Sequence, residues 1–165
     1  MDSTLLGALI GGGAAIAGAI ATSVITYFSN KNHENIKLLK QKKEELYLSV
    51  YDTSVLLEKY HLLFSKRIVS KTDIDDLDNS WRHTIRNINM CVEIYFPLIK
   101  NELSKGLSPS NSFLNDEVKT LRKYTSEGYT DVSIAISGLT KKSAIISYNK
   151  AIVALDDFER KILSI

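Results

Sequence analysis

Cysteine, proline and histidine are scarce in this chain of 165 residues, which holds one Cys, two Pro and three His. The lone thiol, Cys91, excludes an intramolecular disulfide framework and fits a reducing compartment, where such a residue ordinarily serves as a small buried apolar side chain. His33, His61 and His83 are not spaced as a helical metal pair, and Cys91 has no His close to it in sequence. Outside the apolar N-terminal stretch there is no glycine-rich loop to cradle a phosphate. Alternating strand patterns and hairpin dipeptides are missing as well. These absences point away from an enzyme, a metal protein and a β fold, and they imply no cofactor. The net charge is only +2 and both signs are interspersed, which gives no dedicated surface for duplex nucleic acid. The acidic cluster Asp73, Asp75, Asp76 and Asp78 lacks the Gly and the terminal Glu that an EF-hand calcium loop needs.

What the chain has in quantity is apolar residues at its start. Thr4 to Phe28 carries no charge, and a bilayer core of roughly 30 Å needs about 20 apolar helical residues, so the stretch is expected to span a membrane. Ser3, Gly7, Gly11, Ala15, Ala19 and Ser23 follow one another at four-residue spacing and form a small-residue ribbon suited to close helix packing. A cleavable signal peptide does not fit, because the start is Met1-Asp2-Ser3-Thr4 without positive charge and the apolar run is too long. Lys31, Lys37, Lys40, Lys42 and Lys43 follow the stretch. The positive-inside rule then predicts a single-pass membrane protein with its N-terminus outside and its C-terminus cytoplasmic, in contact with membrane lipid. The expected division is residues 1–30 as the span and 31–165 as a cytoplasmic helical bundle.

The remainder reads as all-α, with about four helices. Leu46, Val50, Thr53, Leu57, Tyr60, Phe64 and Ile68 recur at steps of three and four, joined upstream by Leu39, and predict a long helix from Ile36 to about Val69. A break near Asn30-Lys31-Asn32 is an open alternative. Thr72 and Asp75 suggest a capped start for a second helix that buries Leu77, Trp81, Ile85, Ile88, Val92, Tyr95, Ile99 and Leu103. Pro97 should kink or break it near Cys91 to Phe96, and Gly106 and Pro109 should end it. Ser110 or Ser112 would open a third helix with Leu114, Val118, Leu121 and Thr125 inward. Thr140 would cap a last one carrying Ile145, Tyr148, Ile152, Leu155, Phe158 and Ile162.

Recognition chemistry concentrates between Trp81 and Asn89. Arg82, Arg86 and Asn89 share one helix face, with His83 and Asn87 beside them and Trp81, Ile85 and Ile88 turned inward. Two guanidiniums one turn apart suit phosphate or carboxylate, and the ordinary alternative is a solvated face paired with Asp or Glu. Arg122 with Lys123, and Lys141 with Lys142, are further basic candidates.

An N-terminal small-residue helix, a lysine-rich edge and a helical domain without catalytic motifs resemble the small membrane-anchored ancillary effectors of type III CRISPR systems. The resemblance implies a homo-oligomer, a tetramer, that binds cyclic tetra-adenylate, with Arg82, His83, Arg86 and Asn87 as contacts, and perturbs the membrane in antiviral defence. A membrane-anchored scaffold docking a protein partner, and a holin-like pore acting without ligand, are the alternatives.

Overall fold

A computed structural model describes residues 3–66, 69–126 and 138–165, with side chains described from Gly18 onward except Tyr124, Ser126 and residues 138–140. All described elements are helical: α1 (Ser3–Leu63), α2 (Lys71–Tyr95), a 3-10 turn (Pro97–Ile99), α3 (Lys100–Phe113), a π turn (Leu114–Val118), α4 (Lys119–Ser126) and α5 (Gly138–Leu163). The chain divides into two compact units, Met1–Gln41 and Lys42–Ile165.

In the first unit, α1 continues through Asn30-Lys31-Asn32 without a break. Every residue from Gly18 to Gln41 is exposed, and Thr22 Oγ1 and Ser23 Oγ satisfy themselves on the carbonyls of Gly18 and Ala19, both at 2.8 Å. Among the described residues no helix is long and apolar enough to cross a membrane. That finding overturns the expected single-pass span and the orientation drawn from it. From Ser29 onward the exposed helix turns polar and carries Lys31, Glu34, Lys37 and Lys40. Of the small-residue ribbon, Ala19 and Ser23 are exposed, whereas the side chains of Ser3, Gly7, Gly11 and Ala15 lie outside the described residues.

The second unit is a bundle in which four helical stretches share one core: the later part of α1, α2, the α3–π–α4 run and α5. Leu46, Val50, Thr53, Leu57, Tyr60 and Phe64 are all buried, as their spacing requires. Leu39 belongs to the other unit and is exposed, Ile68 lies outside the described residues, and α1 stops at Leu63, short of Val69. The capping box of α2 sits two residues earlier than Thr72. Ser70 Oγ accepts from the Asp73 amide at 3.1 Å while the Asp73 carboxylate takes the Ser70 amide at 2.9 Å. The Ser70 amide, and the Ser70 hydroxyl donating to the same oxygen at 2.9 Å, hold the Asp73 carboxyl below its usual value. Pro97 does break the helix: α2 ends at Tyr95, and Pro97 opens the 3-10 turn, where its missing N–H costs nothing.

Gly106 and Pro109 do the opposite of what their types suggest and lie inside α3. A Cβ on Gly106 would stand 2.9 Å from Phe158 Cβ and 3.4 Å from the Ala154 carbonyl, so glycine is here the condition for α3 and α5 to approach. Ser110 is accordingly a buried interior residue of α3, not a helix start. The π turn that follows places Phe113, Leu114, Glu117 and Val118 inward together, and Glu117 accepts hydroxyls of Ser143 at 3.0 Å and Ser147 at 3.4 Å on α5. α5 begins at Gly138, so Thr140 falls within it. Its inward phase runs through Ala144 and Ala151 to Leu155, Phe158 and Ile162, leaving Ile145 at the surface.

Candidate functional site

Arg82 and Arg122 stand forty positions apart in sequence, yet both line one concavity of about 310 Å³ between α2 and the α3–π–α4 run. Its other walls are Asp78, Trp81, Asn111, Leu114 and Asn115. Asn111 near the end of α3 and Asn115 in the π turn are both exposed, and each offers an amide that can donate and accept. Trp81 is 8% exposed and also lines an adjoining groove of about 560 Å³ with Arg82, Ile85, Arg86, Asn89, Met90 and Glu93. The two hollows share Trp81 and Arg82 and so form one continuous surface, polar around Asp78, Asn111, Asn115 and Arg122 and largely apolar along Ile85 and Met90.

Arg122 is fixed by its neighbours. One terminal nitrogen donates to Asp78 Oδ1 at 2.5 Å, and the same oxygen accepts the Tyr60 hydroxyl at 2.5 Å. Burial and then the Asp78 carboxylate push the Tyr60 phenol far above its ordinary value, so it remains a donor. The guanidinium is thus held from the core side, while its Nε is buried without a hydrogen-bond partner. A buried donor left over in this way costs free energy comparable to a lost hydrogen bond, on the order of 1–3 kcal/mol. An anion able to reach that edge would recover part of this cost.

The other sequence-predicted residues separate. His83 and Asn87 bond one another, Asn87 Nδ2 to His83 Nδ1 at 3.3 Å, and Asn87 faces a different cleft of about 460 Å³ between α1 and α2. That cleft is lined chiefly by Leu48, Met90, Ile94 and Tyr95, with Lys42, Glu45 and Ser49 at its edges. Cys91 also lines it, and its thiol donates to the Lys42 carbonyl at 3.5 Å; burial raises the thiol above its usual value. Lys123, Lys141 and Lys142 are exposed and line none of these hollows. Asn111 and Asn115 are not singled out in the sequence, and Asp78 is read there only as part of an acidic cluster that does not fit a calcium loop. The one signal for the asparagines is their four-residue spacing, which sets two amides on one helix face. Among the described residues no three His, Cys, Asp or Glu side chains gather as metal ligands.

The chain matches no family model, no curated protein and no solved structure. The resemblance to CRISPR ancillary effectors therefore rests on architecture alone, and the membrane span was one of its parts.

Proposed function

We propose that the bundle of residues 42–165 is a non-catalytic binding module for a phosphate-bearing ligand, held on the surface formed by Arg82, Arg86, Arg122, Asn111 and Asn115. The observation that carries this reading is the meeting of Arg82 and Arg122 in one hollow with two asparagine amides. Guanidiniums give bidentate donors to phosphate oxygens, and asparagine amides pair with the edges of bases. The wall at Trp81 adds an aromatic surface on which a base packs. A ligand with several phosphates and bases in one molecule uses both hollows at once, and cyclic oligonucleotides, cyclic tetra-adenylate among them, have that chemistry. Bilayer permeabilisation depended on the corrected span and forms no part of the proposal.

The test is isothermal titration of the full chain with cyclic tetra-adenylate, a linear oligoadenylate and inorganic phosphate. Binding that weakens about tenfold or more in Arg82→Ala and in Arg122→Lys, and falls steeply with salt, supports the reading. No heat with any of the three, or affinity unchanged in both variants, overturns it. A helical scaffold is the second reading, supported by the apolar cleft where Leu48, Met90 and Ile94 are 59%, 57% and 61% exposed. It predicts silence in the same titrations and co-purification of a protein that Met90→Glu releases.

A further inference from the structure

The helix from Gly18 to Lys40 is exposed at every residue, with nothing among the described residues burying it, and isolated helices in water are marginal. Ile25, Tyr27 and Phe28 are 69%, 62% and 63% exposed. Contiguous apolar exposure of this kind marks an interaction surface.

Its pattern says what covers it. Ala21, Ile25, Phe28, Asn32, Asn35 and Leu39 recur at alternating steps of four and three, and one step of three back from Ala21 lies Gly18. That alternation makes a coiled-coil seam. Lys31, Glu34, Lys37 and Lys40, the charged residues between Gly18 and Gln41, all fall off the seam. Val24, Ile36 and Leu38 flank it and widen its apolar face. Among the described residues nothing lies within 4 Å of where a Cβ of Gly18 would stand, which leaves room on the seam for a second helix to approach.

The asparagines choose the occupant. In an apolar environment such as lipid, their amides on the seam would go unsatisfied at a cost of several kcal/mol each. Against a second copy running parallel and in register, Asn32 meets Asn32, where one amide donates what the other accepts, and Asn35 does likewise.

We propose that the helix from Gly18 to Gln41 is a self-association segment, pairing two or more copies of this chain in a parallel, in-register coiled coil. The proposal stands independently of ligand binding at the bundle.

Sedimentation equilibrium of the full chain tests it, with circular dichroism and urea unfolding confirming that each variant is folded. Reversible self-association is expected. Phe28→Glu should weaken it by about thirtyfold or more, as loss of a central aromatic anchor does, while Lys37→Glu off the seam should change it by less than about threefold. Orientation is read from Ala21→Cys in a Cys91→Ser background. A parallel pair brings the two introduced thiols together and air oxidation gives a covalent dimer, whereas an antiparallel pair holds them at opposite ends. A chain monomeric at every concentration, association indifferent to Phe28→Glu, or no cross-link through residue 21 overturns the proposal. So does a chain that stays monomeric and moves onto phosphatidylcholine vesicles.

Discussion

The helix α1 contains two stretches with opposite fates. From Gly18 to Phe28 it has no charged residue and is exposed throughout. From Lys42 to Leu63 it carries Glu44, Glu45, Asp52, Glu58 and Lys59, yet Val50, Leu57 and Tyr60 are fully buried. Mean apolarity therefore does not decide burial here. What decides it is whether one face repeats at helical spacing opposite other helices of the same chain: the later stretch has α2, the α3–π–α4 run and α5 to pack against. The earlier stretch has an apolar seam and, among the described residues, nothing of its own chain buried on it.

The largest effect should come from deleting equal side-chain bulk in the two stretches. Leu57→Ala empties a fully buried site and should cost about 2–5 kcal/mol. Ile25→Ala, made where the side chain is 69% exposed, should alter the unfolding of the monomeric chain by less than about 0.5 kcal/mol. Urea unfolding followed through the fluorescence of Trp81, the one tryptophan, reads both under dilute conditions. Comparable losses at the two positions would mean that residues 18–41 are packed within the monomer, and the contrast between the stretches would fail.

Two glycines sharpen the contrast at the level of one methyl group. Adding it at Gly106 puts carbon 2.9 Å from Phe158 Cβ, where overpacking of about 1–3 kcal/mol exceeds the roughly 1 kcal/mol that alanine gains in a helix. At Gly18 the space is open and only the helix gain remains. Gly106→Ala should thus lower the urea midpoint, and Gly18→Ala should raise the helical signal of the dilute chain. A neutral Gly106→Ala would show that Phe158 and α5 yield without cost.

The same contrast explains how far the sequence could be read. The bundle was legible because its seam residues repeat and pack on one another: Leu46, Val50, Leu57 and Tyr60 in α1, Ile88 and Val92 in α2, and Leu155 and Ile162 in α5 all lie inside. Gly106 misled, because its local meaning as a helix stop yields to a tertiary demand for close approach that no local pattern encodes, and Pro109 lies inside the same helix with no contact that explains it. The shift from Ile145 to Ala144 has a like origin, since the first half of α5 turns the small residues Ala144 and Ala151 inward. At the site, Arg82 and Arg86 were visible as a spaced pair. The joining of Arg82 to Arg122, and the Tyr60–Asp78–Arg122 chain behind it, depend on helix pairing across long stretches of sequence and leave no local trace.

The smallest effect belongs to pH and to the buried stretch of α1. His61 stacks on Tyr148 with ring centroids 4.4 Å apart and planes 12° from parallel, and its Nδ1 is buried without a partner. Burial lowers its tendency to take a proton below the ordinary value of 6.5, opposed weakly by Glu58, and burial likewise keeps the Tyr148 phenol protonated. The unfolded chain then binds more protons at this site than the folded one once pH drops below about 6.5, so stability rises with pH across that window. The contribution of neutral His61 is complete above the ordinary histidine value and declines as pH falls through it. His61→Phe keeps an aromatic ring on Tyr148 and removes the proton. The urea midpoint should decline between about pH 7.5 and 5.5 more in the unmodified chain than in His61→Phe. Identical declines in the two would mean that the His61 ring meets water freely and that its stack on Tyr148 does not hold it neutral.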